Sequence, residues 1–309
     1  MKVTLSFEES ASSDVSIMVD ALRASTTITL ALNNFKRVIP CFTPEEALDL
    51  KEKIGGVLAG ERSGKQIEGF ELRNSPTIIK DFKTSEDTLI FTSTNGTRIL
   101  ENMNSKVLVG SLVNAKAVAL KSIQLASEHI DVVMAGVKGQ FAIEDYLAAG
   151  EILYWIRENS DDCELSEEAA DAISKTRDYE SLKDAFLNSR TAKRLIELDY
   201  RDDVEICCLK NISDNVAIYE NNELAFSPEI MHTCGIFSSS AIRAFLISRT
   251  WASFAFISLQ RSSAARPMAQ MPGRFSVPGR RSFSWPPPKS TGLILAPFFT
   301  YKAPTPFGP

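Results

Sequence analysis

The chain has 309 residues, of which 44% are hydrophobic and 24% charged, as in a globular protein with a buried core. All 39 acidic residues precede residue 230, where they outnumber 25 basic ones, and this acidic balance argues against nucleic acid as a partner. No apolar run of 18 residues and no signal-peptide pattern occurs, and five scattered cysteines lack a C-x-x-C pair, so we expect a cytoplasmic protein with reduced thiols and no membrane contact.

Short apolar runs alternate with amphipathic stretches of helix length along the first 160 residues. The pattern predicts strands at Val3–Phe7, Val15–Val19, Arg37–Phe42, Val57–Ala59, Thr88–Thr92, Lys106–Val109 and Ile130–Met134. It predicts helices at Ala24–Asn33, Pro44–Lys53, Gly96–Met103, Ala115–Glu128 and Ala142–Asn159. Because the strands are largely apolar, helices are expected on both faces. The fold class is therefore α/β: a three-layer α/β/α sandwich around a mainly parallel or mixed sheet.

The second predicted helix has the clearest start signal. Thr43 is expected as its N-cap and Pro44 in its first turn, and Glu46 completes a capping box. Further along, residues 164–198 read as two or three polar, acidic helices. Val204–Leu209 is predicted to return to the sheet as a last strand.

The composition changes near residue 236. From there to residue 309 the chain contains ten of its fourteen prolines, nine basic residues, no acidic ones and no sustained periodicity. We therefore expect an α/β domain over residues 1–235 and a basic Ser/Pro/Arg-rich tail over 236–309. The tail is expected to be disordered or a reading-frame artefact without a role in chemistry; a basic arm for nucleic acid or membrane is the alternative.

Polar, glycine-rich segments follow five of the predicted strands. They are residues 20–27, 60–64, 93–98, 110–114 and 135–139. In a parallel sheet all five would lie at the edge where α/β proteins bind ligands. Arginines and helix N-terminal amides suit an anion such as phosphate, and carboxylates beside them suit a hard cation such as Mg²⁺.

Each polar residue of these segments also has a structural alternative. Asp20 and the hydroxyls of residues 25–27 can cap the following helix. Asn95-Gly96 is a common turn pair, and Arg23 and Arg62 can be surface charges. The shared predicted edge is what favours a binding site.

Several common chemistries are excluded by the sequence. Residues 60–66 resemble a P-loop, but Ala59 stands where the first glycine belongs and Gln66 where Ser or Thr belongs. No Cys is followed six residues later by Arg, and Leu22 occupies the position of the second Asp of a haloacid dehalogenase. With only two histidines, a His-dependent triad or a His-rich metal site is not expected.

Seven segments, in this order, closely resemble the 2-phosphosulfolactate phosphatase family, the Mg²⁺-dependent enzymes of coenzyme M biosynthesis. They are residues 19–26 (VDALRAST), 59–62 (AGER), 67–76 (IEGFELRNSP), 93–98 (STNGTR), 110–115 (GSLVNA), 135–136 (AG) and 144–150 (EDYLAAG). The resemblance covers about residues 1–220. Ser63 stands where the family usually has glycine, and residues 236–309 have no counterpart in it.

The resemblance implies hydrolysis of (2R)-phospho-3-sulfolactate to 3-sulfolactate and phosphate by a homodimer. We hypothesise that three carboxylates hold or orient Mg²⁺ and the attacking water: Asp20, Glu61 and Asp145. Phosphoryl oxygens would bind Ser25, Thr26, Thr94 and Asn95. The other anionic groups would bind Arg23, Arg62, Arg98 and the amides around Gly96.

Two alternative functions remain open at this point. One is a phosphatase for another 2-hydroxy-acid phosphate, since the residue types do not distinguish these substrates. The other is a non-catalytic anion-binding protein with the same fold. A panel of phosphate esters assayed with Mg²⁺ would separate all three.

Overall fold

A mixed β-sheet forms the centre of the fold in a computed structural model, which describes residues 1–100, 103–177, 179–220 and 223–226. The strands are β1 (Lys2–Phe7), β2 (Val15–Val19), β3 (Arg37–Pro40), β4 (Val57–Arg62), β5 (Lys65–Gln66), β6 (Leu72–Arg73), β7 (Thr88–Thr92), β8 (Lys106–Val109), β9 (His129–Met134), β10 (Glu164–Leu165), β11 (Ala217–Glu220) and β12 (Glu223–Phe226). The expectation for residues 236–309 lies outside the described residues and stays a prediction.

Ten helices lie within these ranges, together with a 3₁₀ turn at Leu112–Asn114. They are α1 (Ala24–Ala31), α2 (Pro44–Ile54), α3 (Pro76–Ile79), α4 (Gly96–Leu100), α5 (Ala115–Leu125), α6 (Ile143–Glu158), α7 (Glu167–Lys175), α8 (Tyr179–Leu187), α9 (Arg190–Glu197) and α10 (Arg201–Cys207). In that part of the chain, none of them is both long and apolar enough to span a membrane.

The sheet consists of two parallel blocks joined by a hairpin. One block has the order β10-β1-β9-β2-β8 and the other has the order β3-β7-β4. The hairpin β11–β12 lies between them and pairs antiparallel with β8 on one side and with β3 on the other. Short β6 extends β4 in parallel, and β5 pairs antiparallel with the end of β4.

Helices cover both faces of the sheet, as the apolar strands predict. In β7, Leu89 and Phe91 belong to the main hydrophobic core, whereas Ile90 between them belongs to a second cluster with Ala47 of α2. Because successive side chains of a strand point to opposite faces, this division shows packed layers on either side. The predicted α/β fold with a mixed sheet is confirmed.

The predicted elements in the first 160 residues are confirmed, with boundaries that shift by a few residues. The strand predicted at Val204–Leu209 is wrong, because residues 201–207 form α10. Its buried residues include Asp203, Val204 and Cys207, a three- and four-residue spacing that a helix satisfies as well as a short apolar run satisfies a strand. The strands that return to the sheet are β11 and β12, and the sequence analysis missed both.

Candidate functional site

A cavity of about 540 Å³ lies where strand-end segments from both blocks of the sheet meet. Four of the five predicted polar segments line it, with Asp20, Glu61, Asn95 and Lys138 among their contributions. The fifth segment, residues 110–114, does not. The amide nitrogen of its Asn114 side chain donates to the backbone carbonyls of Val109 and Asn215, so this segment anchors the chain that leads into β11.

The meeting of the two blocks is not what strand pairing alone predicts. Three antiparallel steps separate β8 from β3, so the second block runs opposite to the first within the sheet. Neighbouring strands are rotated by roughly 20–25° each, and over the five steps from β2 to β7 this sums to roughly 100–125°. The twist turns the carboxyl ends of β4 and β7 towards that of β2.

Asp20 and Glu61 form a pair of buried carboxylates in the cavity wall. Asp20 follows the last residue of β2 and accepts hydrogen bonds from the backbone amides of Ala24 and Gly96. Burial raises the pKa of the Asp20 carboxyl to about 7, and the negative charge of Glu61 contributes to the same shift. Two carboxylates that raise the free energy of each other's charged form in this way favour a cation between them.

Backbone amides fix the Glu61 carboxylate within β4. One oxygen, Oε1, accepts from the amide of Thr94 at 2.7 Å, and Oε2 accepts from the amide of Gly64 at 2.6 Å. Glu61 therefore joins the segment after β7 to the turn after β4.

Gly96 is required by the close approach of its backbone to Asp20. A Cβ at this position would lie 2.9 Å from Oδ2 of Asp20 and 3.0 Å from Cβ of Ala24. Only a residue without a side chain allows α4 to begin against the carboxylate at the end of β2. Gly96 thus contributes an amide rather than a side chain.

Asp145 lies behind the cavity rather than in its wall. Its Oδ1 accepts from the amide of Ala21 at 2.8 Å, and its Oδ2 accepts from the amide of Gly136 at 2.9 Å. Burial, together with the charges of Asp20 and Glu144, raises the pKa of Asp145 well above its usual range. Asp145 therefore joins the segments after β2 and β9.

The three carboxylates assigned to Mg²⁺ from the sequence do not converge on one point. Within residues 1–100, 103–177, 179–220 and 223–226, no group of three His, Cys, Asp or Glu side chains is arranged to hold a metal ion. Asp20 and Glu61 face the cavity, whereas both oxygens of Asp145 accept backbone amides.

Arg23 lines the cavity, but a buried carboxylate neutralises its charge. Its Nη1 donates to Oδ2 of Asp203 at 2.7 Å, and both side chains are almost fully buried. Its Nη2 donates to the carbonyl of Gly64 at 3.2 Å, and the guanidinium lies over the ring of Tyr200. The peptide bond between Leu22 and Arg23 is cis. The charge of Arg23 is therefore already paired within the wall.

Thr94 and Asn95 line the cavity beside the acidic pair. The hydroxyl of Thr94 is buried and has no hydrogen-bond partner within the chain, so it is available to a ligand. The side-chain oxygen of Asn95 accepts from the amide of Lys138 at 3.2 Å, which joins the segments after β7 and β9.

Four residues predicted to bind substrate have partners away from the cavity. The hydroxyls of Ser25 and Thr26 are buried and donate to the carbonyls of Met18 and Ala21. Arg62 donates to the carbonyls of Glu61 and Phe42 and to the Thr92 hydroxyl. Arg98 is paired with Glu8 at the surface. In this structure all four stabilise loops and helix starts.

Several residues that line the cavity were not predicted. The most prominent are Asn74, Gln140, Arg190 and Arg194. The two arginines belong to α9, which follows the N-cap Ser189. Their signal in the sequence is the basic run Arg190-Thr191-Ala192-Lys193-Arg194 within an otherwise acidic domain, but nothing in the sequence places α9 beside the strand ends.

Comparison with known proteins gives a consistent match over the described region. The model of the 2-phosphosulpholactate phosphatase family matches residues 3–222. The 2-phosphosulfolactate phosphatase of Methanothermobacter thermautotrophicus is 45% identical over 230 residues, which is 74% of this chain and 97% of that protein. Probable 2-phosphosulfolactate phosphatases of Clostridium acetobutylicum and Thermotoga maritima are 36% and 37% identical, over 70% and 66% of this chain and 94% and 88% of theirs.

Proposed function

The chain belongs to the 2-phosphosulfolactate phosphatase family, and we propose that it hydrolyses (2R)-phospho-3-sulfolactate to 3-sulfolactate and phosphate. The observation that carries this proposal is a single cavity that combines a buried acidic pair, Asp20 and Glu61, with Arg190, Arg194 and Lys138. Phosphosulfolactate has a phosphate, a carboxylate and a sulfonate. Such a molecule requires charge neutralisation at more than one place in its site.

The reaction joins a water oxygen to phosphorus and breaks the bond between phosphorus and the ester oxygen, and a proton passes to the leaving alkoxide. Positioning and charge neutralisation supply most of the catalysis in phosphoryl transfer. We place the phosphoryl group beside Asp20 and Glu61. There the free hydroxyl of Thr94 donates to a phosphoryl oxygen, and the Asn95 side chain orients the group.

The residues present fit Mg²⁺ bound by two carboxylates. Mg²⁺ in phosphoryl-transfer sites commonly takes one or two carboxylates and completes its coordination with substrate oxygens and water. We assign Asp20 and Glu61 to it, because both face the cavity. Bound there, Mg²⁺ would neutralise the phosphate and polarise its oxygens. Asp145 is assigned to positioning the segments after β2 and β9, since its oxygens accept their amides.

Phosphate release from phosphosulfolactate by the purified full chain tests the proposal. We expect turnover with Mg²⁺, loss of turnover with EDTA and recovery when Mg²⁺ is restored. Asp20→Asn should lower kcat/KM by about 100-fold or more, as removal of a group that stabilises developing charge does. Asp87→Asn, which changes an exposed carboxylate beside Lys36, serves as the control and should leave turnover unchanged.

The outcomes separate the parts of the proposal. Asp20→Asn activity within threefold of the wild type contradicts the role of Asp20, and turnover that persists in EDTA contradicts the metal. Binding of phosphate esters without release of phosphate would instead support a non-catalytic anion-binding protein.

We also propose the biological setting that the family resemblance implies. The 3-sulfolactate produced would enter coenzyme M biosynthesis in the cytoplasm, and the chain would act as a homodimer. Light scattering after size exclusion of the full chain measures the oligomeric state directly.

A further inference from the structure

Helix α9 contributes a positively charged part of the cavity wall. Arg190 and Arg194 are four residues apart, so they lie on one face of the helix, and both line the cavity. The neighbouring Lys138 adds a third positive charge from the segment after β9. An acidic domain thus presents a local concentration of cations at its candidate site.

The position of α9 is fixed by contacts on its other side. The hydroxyl of the N-cap Ser189 accepts from the amide of Ala192, and Ala192 and Leu195 are buried. A Cβ at Gly64 would lie 3.8 Å from Leu195 and 3.0 Å from Leu198, so α9 and the residue that follows it pack directly on the turn after β4. The arginines are therefore held beside a turn that Glu61 also binds.

The α9 arginines differ from Arg23 in how their charge is balanced. Arg23 is buried against Asp203. Arg190 instead donates to Oε1 of Gln140 at 2.7 Å, and this partner is a neutral amide. Arg194 pairs with Glu197 at 3.3 Å with both side chains more than half exposed, and such a pair contributes little free energy. An anionic ligand can therefore recruit both guanidinium groups.

The acidic end of the cavity cannot serve the third anion of the substrate. Asp20 and Glu61 repel a sulfonate, which stays ionised at every pH at which a protein folds. A guanidinium, in contrast, matches the oxygens of a sulfonate with parallel N–H donors.

We propose that Arg190 and Arg194 bind the sulfonate of phosphosulfolactate and thereby set the specificity among 2-hydroxy-acid phosphates. This inference rests on the proposed function, because it takes the phosphoryl group to bind beside Asp20 and Glu61.

The test compares two substrates that differ in the sulfonate alone: phosphosulfolactate and 2-phospholactate. In the full chain, Arg190→Gln with Arg194→Gln should lower kcat/KM for phosphosulfolactate by about 10- to 100-fold, chiefly through KM, as loss of charge-assisted hydrogen bonds does. The value for 2-phospholactate should change less than threefold. Lys193→Gln removes the same charge from α9 outside the main cavity and should leave the ratio of the two values unchanged.

A binding measurement separates this inference from the proposed function. Calorimetry with 3-sulfolactate and with lactate should show that the wild type prefers 3-sulfolactate and that the double variant loses this preference, whether or not any ester is hydrolysed. An equal loss on both substrates, or an unchanged preference in the double variant, overturns the inference. A wild type that prefers 3-sulfolactate but releases no phosphate overturns the proposed function and leaves the sulfonate site intact.

Discussion

Asp20 combines a cost in stability with a use in chemistry. Its carboxyl is buried at the end of β2 beside a second carboxylate, and this environment raises its pKa to about 7. A carboxylate in such a place destabilises the folded state when it is charged and binds a cation strongly for the same reason. Sites arranged in this way are expected to gain stability when their charge is removed.

The pH dependence of stability tests this account of Asp20. The folded chain holds the Asp20 proton up to about pH 7, whereas an ordinary Asp loses it near 3.8. The folded state therefore binds more protons between these values, and the free energy of unfolding falls as pH rises through the window. In EDTA, Asp20→Asn should match the wild type near pH 4 and exceed it by an amount on the order of a few kcal/mol above pH 7.

Urea denaturation at a series of pH values measures this difference directly. The exposed Asp87→Asn should show no trend with pH, because its carboxyl is not buried. A difference for Asp20→Asn that stays constant between pH 4 and 8 would show that Asp20 has an ordinary pKa in the folded chain.

Among the helices, α2 shows a start that local sequence determines. The Thr43 hydroxyl accepts from the amide of Glu46 as predicted, and Pro44 begins the first turn. The Glu46 carboxylate accepts from the amide of Phe42, one residue before the N-cap. Such signals act within a few residues, so they can be recognised without tertiary structure.

Helix α6 depends instead on a contact that local sequence does not show. It packs against α7 at Gly150, where a Cβ would lie 2.4 Å from the carbonyl oxygen of Ala172 and 2.6 Å from Cγ2 of Thr176. Since one of these neighbours is backbone, it cannot rotate away. The glycine therefore sets the distance between the two helices.

Gly150→Ala is expected to destabilise the chain despite the higher helix propensity of alanine. The added methyl group should force α6 and α7 apart and lower the free energy of unfolding by about 1–3 kcal/mol, as overpacking does. Lys175→Ala at the exposed end of α7 is the control and should change it by less than about 0.5 kcal/mol. A stable Gly150→Ala chain in urea denaturation would contradict the close helix contact.

For the whole molecule, the candidate site is complete within the first 200 residues. The residues that line the cavity run from Asp20 to Leu195, and the family match ends at residue 222. A chain that ends at Pro228 should therefore keep kcat/KM for phosphosulfolactate within about twofold of the full chain, an indistinguishable barrier on the scale of RT. Loss of a robust activity on truncation would assign a role to residues 229–309.

What the sequence determined by itself is the set of elements and most of the chemistry. Apolar runs of strand length, separated by amphipathic helices, were sufficient for the α/β class, because these periods follow from backbone geometry. The polar segments after the strands supplied Asp20, Arg23, Glu61, Thr94 and Asn95 to the cavity.

Tertiary structure decided which polar groups face the ligand cavity and which stabilise the fold. Arg62 and Asp145 are polar residues in the expected segments, yet their partners turn them to carbonyls and amides of neighbouring loops. Arg190 and Arg194 reach the cavity because α9 packs on Gly64, more than 120 residues away along the chain. Contacts between segments so distant depend on how whole surfaces fit together, and no local pattern of residues records that fit.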